Sequence, residues 1–118
     1  MIDEGAVVLV PSPQTETGSP GKVRPAVVIR RLPGAYDDWL ICMLSSRVDQ
    51  SLDGFDEVIT KEDGDFATSG LKISSVLRIA RLAVCHDSMM LGEIGRIADN
   101  RLQRVRNRLC DWLSSKPA

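Results

Sequence analysis

Up to residue 85 the apolar residues arrive in short, β-branched runs, each stopped by a cluster of turn formers. "AVVLV" (6–10) ends at Pro11 as a short strand should, and "PSPQTETGSPGK" (11–22) reads as a flexible loop. "RPAVVIRRL" (24–32) is the second strand, "PGAYDD" (33–38) a turn, and "WLICMLSS" (39–46) the third strand. "FDEVIT" (55–60) alternates as a more exposed fourth strand, "KEDGDFATSG" (61–70) is a charged loop, and "SSVLRIARLAVC" (74–85) is the fifth strand. The second, third and fifth strands are apolar at nearly every position. A small antiparallel sheet with such strands needs both faces covered, and the covers available are a helix and a partner subunit.

After Cys85 the period changes. Leu102, Val105, Leu109 and Trp112 or Leu113 recur at three- and four-residue spacing, which predicts a helix from about Asp99 to Leu113. Arg101, Arg104, Arg106 and Arg108 fall on its other side and read most simply as a solvated face. "SMMLGEIGRIA" (88–98) fits a short helix or a turn, with Gly92 and Gly95 against a long helix. The expected architecture is a small curled sheet, mainly β, closed by a C-terminal helix, in one domain spanning 1–118.

At 118 residues, with 43% hydrophobic and 26% charged, the chain has the composition of a soluble globular domain. Aromatics are only 4%, which argues against nucleic-acid recognition by rows of stacked rings. A formal net charge of -1 exerts no overall pull on a polyanion, so any nucleic-acid site is a local patch. Cys42, Cys85 and Cys110 are odd in number and lack metal-ligand spacing, as expected of reduced thiols. The N-terminus does not resemble a signal peptide, and no run reaches the 18 or so apolar residues of a membrane helix. The expected location is the cytoplasm, with no membrane partner.

Within "GKVRPAVVIRR" (21–31) an arginine locked to a proline opens an otherwise apolar strand. Arg24 either caps a strand end in water or is held rigidly so that an anion can meet it. Arg78 interrupts the fifth strand, where a charge needs a partner, such as Asp56, or a purpose. Lys22 is a solvated loop residue or a phosphate contact. His86, the one histidine, lies past the fifth strand and reads as a turn or helix-start residue.

A Gly-led first strand, a loop, "KVRPAVVI", a strand ending in "SS", "GLKISSVLRIARL" and a terminal helix together resemble the MazF/PemK (Kid) toxin family, from about Gly5 to Leu113. The resemblance implies an SH3-like half-barrel of the CcdB/PemK/MazF type that forms a homodimer. It implies the toxin of a type II toxin–antitoxin pair, an endoribonuclease that cuts single-stranded mRNA at short preferred sequences without a metal or other cofactor. It also implies a cognate antitoxin protein that silences the toxin, with DNA met only through that antitoxin. Arg24 falls on the family's catalytic Arg-Pro arginine. Ser45 and Ser46 fall on a Thr/Ser pair that contacts the scissile phosphate, and Arg78 on a basic position of some members. Some relatives have an acid two residues after the Arg78 position, where this chain has Ala80. Others have a glutamate in the loop before the Arg-Pro, where Glu16 is the one acid, eight residues ahead of Arg24.

These residues suit metal-free cleavage. The 2′-hydroxyl can attack its neighbouring phosphorus if one proton is accepted, another donated, and charge on the phosphorane oxygens stabilised. A guanidinium grips two phosphate oxygens and stays charged, and serine hydroxyls can donate to the same oxygens. The residues leave the general base open: Glu16 reaching in, or a group from elsewhere. Two other readings fit the same fold: a CcdB-like gyrase poison acting without catalysis, and a degenerate member that only binds RNA or antitoxin.

Overall fold

Successive side chains of a strand point to opposite faces, so a run that is apolar throughout requires two covered faces. The computed structural model of the chain, which describes residues 2–11 and 22–117, meets that requirement with one antiparallel sheet. The strands are β1 (Ala6–Pro11), β2 (Val23–Arg31), β3 (Asp38–Ser45), β4 (Glu57–Ile59), β5 (Ser75–His86) and β6 (Gly92–Arg96). Their hydrogen-bonded order is β4-β5-β3-β2-β1-β6. A single helical turn, α1 (Phe66–Ser69), precedes β5, and α2 (Asp99–Ser114) follows β6. The result is a mainly β half-barrel of six antiparallel strands with a C-terminal helix.

Alternation then sorts the side chains. Val7, Val27, Ile29, Cys42 and Leu44 turn to one face and pack against Leu102, Val105 and Leu109 of α2. Ala6, Val8, Val10, Ala26, Val28 and Ile41 turn to the other, where Ile2, Trp39, Met43, Cys85 and Met90 cover them. At the margin of this second cluster Val84 and Met89 stay more than half exposed. Trp112 is not buried with the other α2 residues; it packs edge-on against Phe55 with ring centroids 5.9 Å apart.

Three expectations are corrected. The sheet has six strands rather than five, because 92–96 inside the segment read as a helix or turn pairs with β1. Glycines hid this strand, yet Gly95 is required there: a Cβ would collide with the carbonyls of Thr68 and Ser69, so α1 lies directly on β6. The charged loop 61–70 contains α1 itself.

The third correction concerns the arginines of α2, which are not a solvated face. Arg101 is buried and donates to both carboxylate oxygens of Asp65 (2.8 and 3.0 Å), to Glu57 Oε1 (3.0 Å) and to the Val58 carbonyl (3.2 Å). Glu57 also receives Arg104 (3.0 Å) and Arg108 (2.7 Å). Arg106 pairs with Glu4 (2.8 Å) and donates to the Ile29 carbonyl (2.9 Å). A buried charge is tolerated only when paired, and here the helix is bolted to β4, to the start of α1 and to the N-terminal segment.

Candidate active site

Arg24 lies opposite Val10 of β1. On its other side β2 runs antiparallel to β3 with Ala26 opposite Met43, so the register continued two residues outward brings Arg24 level with Ser45. The proline ring fixes the backbone immediately after Arg24, at the start of a strand whose next four residues, Ala26–Ile29, are buried. An exposed guanidinium is thereby presented from a rigid base. Ser45 Oγ accepts from the Arg47 amide (3.1 Å), which orients the oxygen and leaves its O–H able to donate outward. Ser46 follows, exposed.

Arg24, Ser45 and Ser46 line one concavity of about 430 Å³. Another part of its wall is the segment after α1: Gly70, Leu71, Lys72 and Ile73. That wall is held in place. Gly70 adopts φ 77°, closing α1 in the left-handed region, and a Cβ there would collide with the Ile94 carbonyl. The buried Ser69 hydroxyl donates to the Phe66 carbonyl (2.6 Å) and accepts from the Leu71 amide (3.2 Å). The Ser75 hydroxyl donates to the Ile73 carbonyl (3.0 Å). The charged residues of the lining are Arg24 and Lys72, both cationic; the rest are apolar residues, glycine and serines.

The wall is also tied to α2. Asp65, at the N-terminal boundary of α1, accepts from the amide of Ala98 at the start of α2 (3.0 Å) and from Arg101. The hydrogen bonds from Arg101 outweigh burial and hold the Asp65 carboxyl below its ordinary pKa. Burial opposes charge on Arg101, but its bonds to Asp65 and the nearby Glu57 and Asp63 carboxylates raise its pKa overall.

Arg78 is not brought into this pocket. It lies where β5 bulges against β3, the pairing shifting from Leu44↔Leu77 to Cys42↔Leu82, and it donates to Gln50 Oε1 (3.2 Å). The pairing with Asp56 considered from sequence does not form: that carboxylate accepts instead from the amides of Leu52 (3.0 Å) and Ile79 (3.1 Å). Lys22 is exposed ahead of β2 and outside the lining. Glu16 lies outside the described residues. Ala80 is exposed on β5, and His86 accepts from the Ser88 amide (3.1 Å) at the start of a short 3-10 turn, the role expected of it. Cys42 is buried, which pushes its thiol pKa far up and leaves it a small apolar residue. Sequence reasoning missed Lys72, because it stands on an irregular segment with no periodicity to mark which way it faces.

The chain matches the family described as "PemK-like, MazF-like toxin of type II toxin-antitoxin system" over residues 3–113. It belongs to that family. Among solved structures it is similar to a MazE–MazF complex of Deinococcus radiodurans at 19% identity and a TM-score of 0.71, covering 98% of this chain and 97% of that one. MazF alone from the same organism aligns at 21% identity and TM-score 0.65, over 97% of both chains. The Mycobacterium tuberculosis toxin MazF-mt6 aligns at 11% identity and TM-score 0.67, over 95% of this chain and 99% of that one. No curated protein matches the sequence. At such identities the structural likeness speaks for the half-barrel alone; the family assignment rests on the sequence match.

Proposed function

We propose that this toxin-family chain acts in the cytoplasm as a single-domain, metal-independent endoribonuclease, a homodimer that cuts single-stranded mRNA and is silenced by a cognate antitoxin protein. The observation that carries the reading is the convergence of Arg24, Ser45 and Ser46 on one pocket at the mouths of β2 and β3. The scissile phosphate sits on the Arg24 fork with the serine hydroxyls donating to its oxygens. The 2′-hydroxyl gives its proton to a base, its oxygen attacks phosphorus, the bond to the 5′-oxygen breaks as that oxygen takes a proton from water, and the products are a 2′,3′-cyclic phosphate and a 5′-hydroxyl. Arg24 stabilises the additional negative charge that develops only on the phosphorane, which lowers the barrier rather than merely tightening binding.

No residue of the described lining is a carboxylate or imidazole, so the proton acceptor enters from outside it. We assign that role to Glu16, and Glu16→Gln should slow cleavage while leaving the melting curve unchanged. The same carboxylate-free lining favours a second reading, a member that holds RNA and antitoxin without cutting. Incubating the purified protein with a long RNA in EDTA and mapping fragment ends separates the two. Discrete cuts with cyclic-phosphate ends support the nuclease; an RNA gel shift without fragments supports the binder. RNA left both intact and unshifted contradicts both and points to a gyrase poison.

A further inference from the structure

The pocket described above holds two cations but only one has been given a task. Lys72 lines the same concavity as Arg24, and the described lining carries no carboxylate to answer either charge. Among the described residues the side chains of Lys72 and Arg24 have no hydrogen bond or ion pair, nor do those of the exposed Lys22, Arg30, Lys61, Arg81 and Lys116; what sets these two apart is that they share one concavity. Two like charges lining one concavity make it a favourable place for an anion.

The backbone around Lys72 is fixed on both sides. Ser69 holds the Leu71 amide before it, Ser75 holds the Ile73 carbonyl after it, and Gly70 sits against β6. A solvated surface lysine requires no such framework; a lysine that must meet a ligand at a set place does. Besides the two cations and three serines the lining is largely apolar, with Val23, Pro25, Leu71, Ile73 and Ile94, and Val23 and Ile73 are each more than half exposed. Two cations and apolar side chains lining one concavity suit a nucleic-acid strand, which brings phosphates and bases together.

We propose that Lys72 is a second phosphate-binding residue of this pocket, holding the phosphate adjacent to the one on Arg24. This rests on the ribonuclease reading of the pocket. The adjacent phosphate does not react, so Lys72 contributes equally to ground state and transition state, a positioning role unlike that of Arg24.

The test uses the full chain and a random-sequence single-stranded RNA with 2′-fluoro riboses, which cannot be cut. Binding is measured against salt concentration for wild type, Lys72→Ala, Lys72→Arg and, as a control outside the pocket, Lys61→Ala. Lys72→Ala should flatten the log–log salt slope by about 0.7, the value for one phosphate contact on a single strand. It should weaken binding roughly three- to tenfold at moderate salt. Lys72→Arg should keep the wild-type slope, and Lys61→Ala should change nothing. On cleavable RNA in EDTA, Lys72→Ala should raise KM with kcat nearly unchanged. A slope for Lys72→Ala equal to wild type overturns the proposal even if the wild type cuts RNA. Conversely, a flattened slope upholds the phosphate contact even if the wild type fails to cut, an outcome that defeats the nuclease reading alone.

Discussion

Replacing Arg101 by methionine is the sharpest test of how α2 supports the pocket. Methionine keeps the length and apolar stem of the side chain, so the change removes charge and hydrogen bonds more than volume. Arg101 has 7% of its side chain exposed and donates to Asp65, Glu57 and the Val58 carbonyl. Glu57 would retain Arg104 and Arg108, but Asp65 would retain only the Ala98 amide as a strong donor from outside α1. Removing one partner of a buried pair costs about 3–5 kcal/mol, and the surviving partners of Glu57 place this case near the low end, about 3 kcal/mol. For a chain of this size that lowers Tm by about 10–15 °C. The pH dependence is diagnostic. Asp65 has its pKa lowered in the folded state by Arg101, so its contribution is present above the ordinary aspartate pKa and fades as pH falls through the depressed folded value. In the variant that contribution is missing at every pH. The stability gap between wild type and variant, from urea melts by circular dichroism, should therefore be full at pH 6–7 and shrink below about pH 4. A gap under about 1 kcal/mol, or one equally large at pH 3, would refute the assignment of Arg101–Asp65 as the bolt.

Gly70→Ala should destabilise by about 2–4 kcal/mol, since it adds left-handed strain to a collision with the Ile94 carbonyl; a thermal melt within about 1 kcal/mol of wild type would contradict the close approach. A homodimer should appear in sedimentation at micromolar concentration, burying on the order of 1,600 Å² in total, and a 13.0 kDa species alone would count against it. An acidic, partly disordered antitoxin should cover the Arg24 pocket, because carboxylates and apolar anchors together mask a local basic site. Its hydrogen-exchange footprint should include residues 22–24 and 45–47, and a footprint elsewhere would sink the masking model.

Much of this fold was legible because alternation is a local property. Val7, Val27 and Cys42 against Val8, Val28 and Ile41 announced a sheet covered on both faces, and Leu102, Val105 and Leu109 announced the helix that covers one of them. Arg24 stood out through the Arg-Pro that opens an apolar strand, whereas Ser45 and Ser46 were singled out only by the family resemblance; the structure lines one pocket with all three. What stayed hidden depends on contacts distant in sequence. Gly92 and Gly95 argue against a long helix without marking a strand, and only the approach of α1 explains Gly95. The arginines of α2 have the spacing of a solvated face, and their carboxylates, Glu57 and Asp65, lie 36 to 44 residues earlier for Arg101. For Arg78 the sequence left a structural partner such as Asp56 and a functional role open; it stands at the β5 bulge and donates to Gln50, which no local pattern marks. Lys72 gave no signal at all, since an irregular segment has no period.

The claim that this protein cuts RNA with Arg24 is tested most directly by the cleavage rate of Arg24→Ala on a fluorogenic single-stranded RNA in EDTA, with a melting curve as folding control. Arg24 is exposed at a strand mouth, so the variant should fold as wild type does. Its rate should fall by about 10²–10³, the effect of losing one transition-state donor, and Arg24→Lys should recover little because an ammonium lacks the bidentate fork. Ser45→Ala should cost less than Arg24→Ala, a neutral donor being weaker than a charged one. A well-folded Arg24→Ala protein that cuts at the wild-type rate would contradict the account.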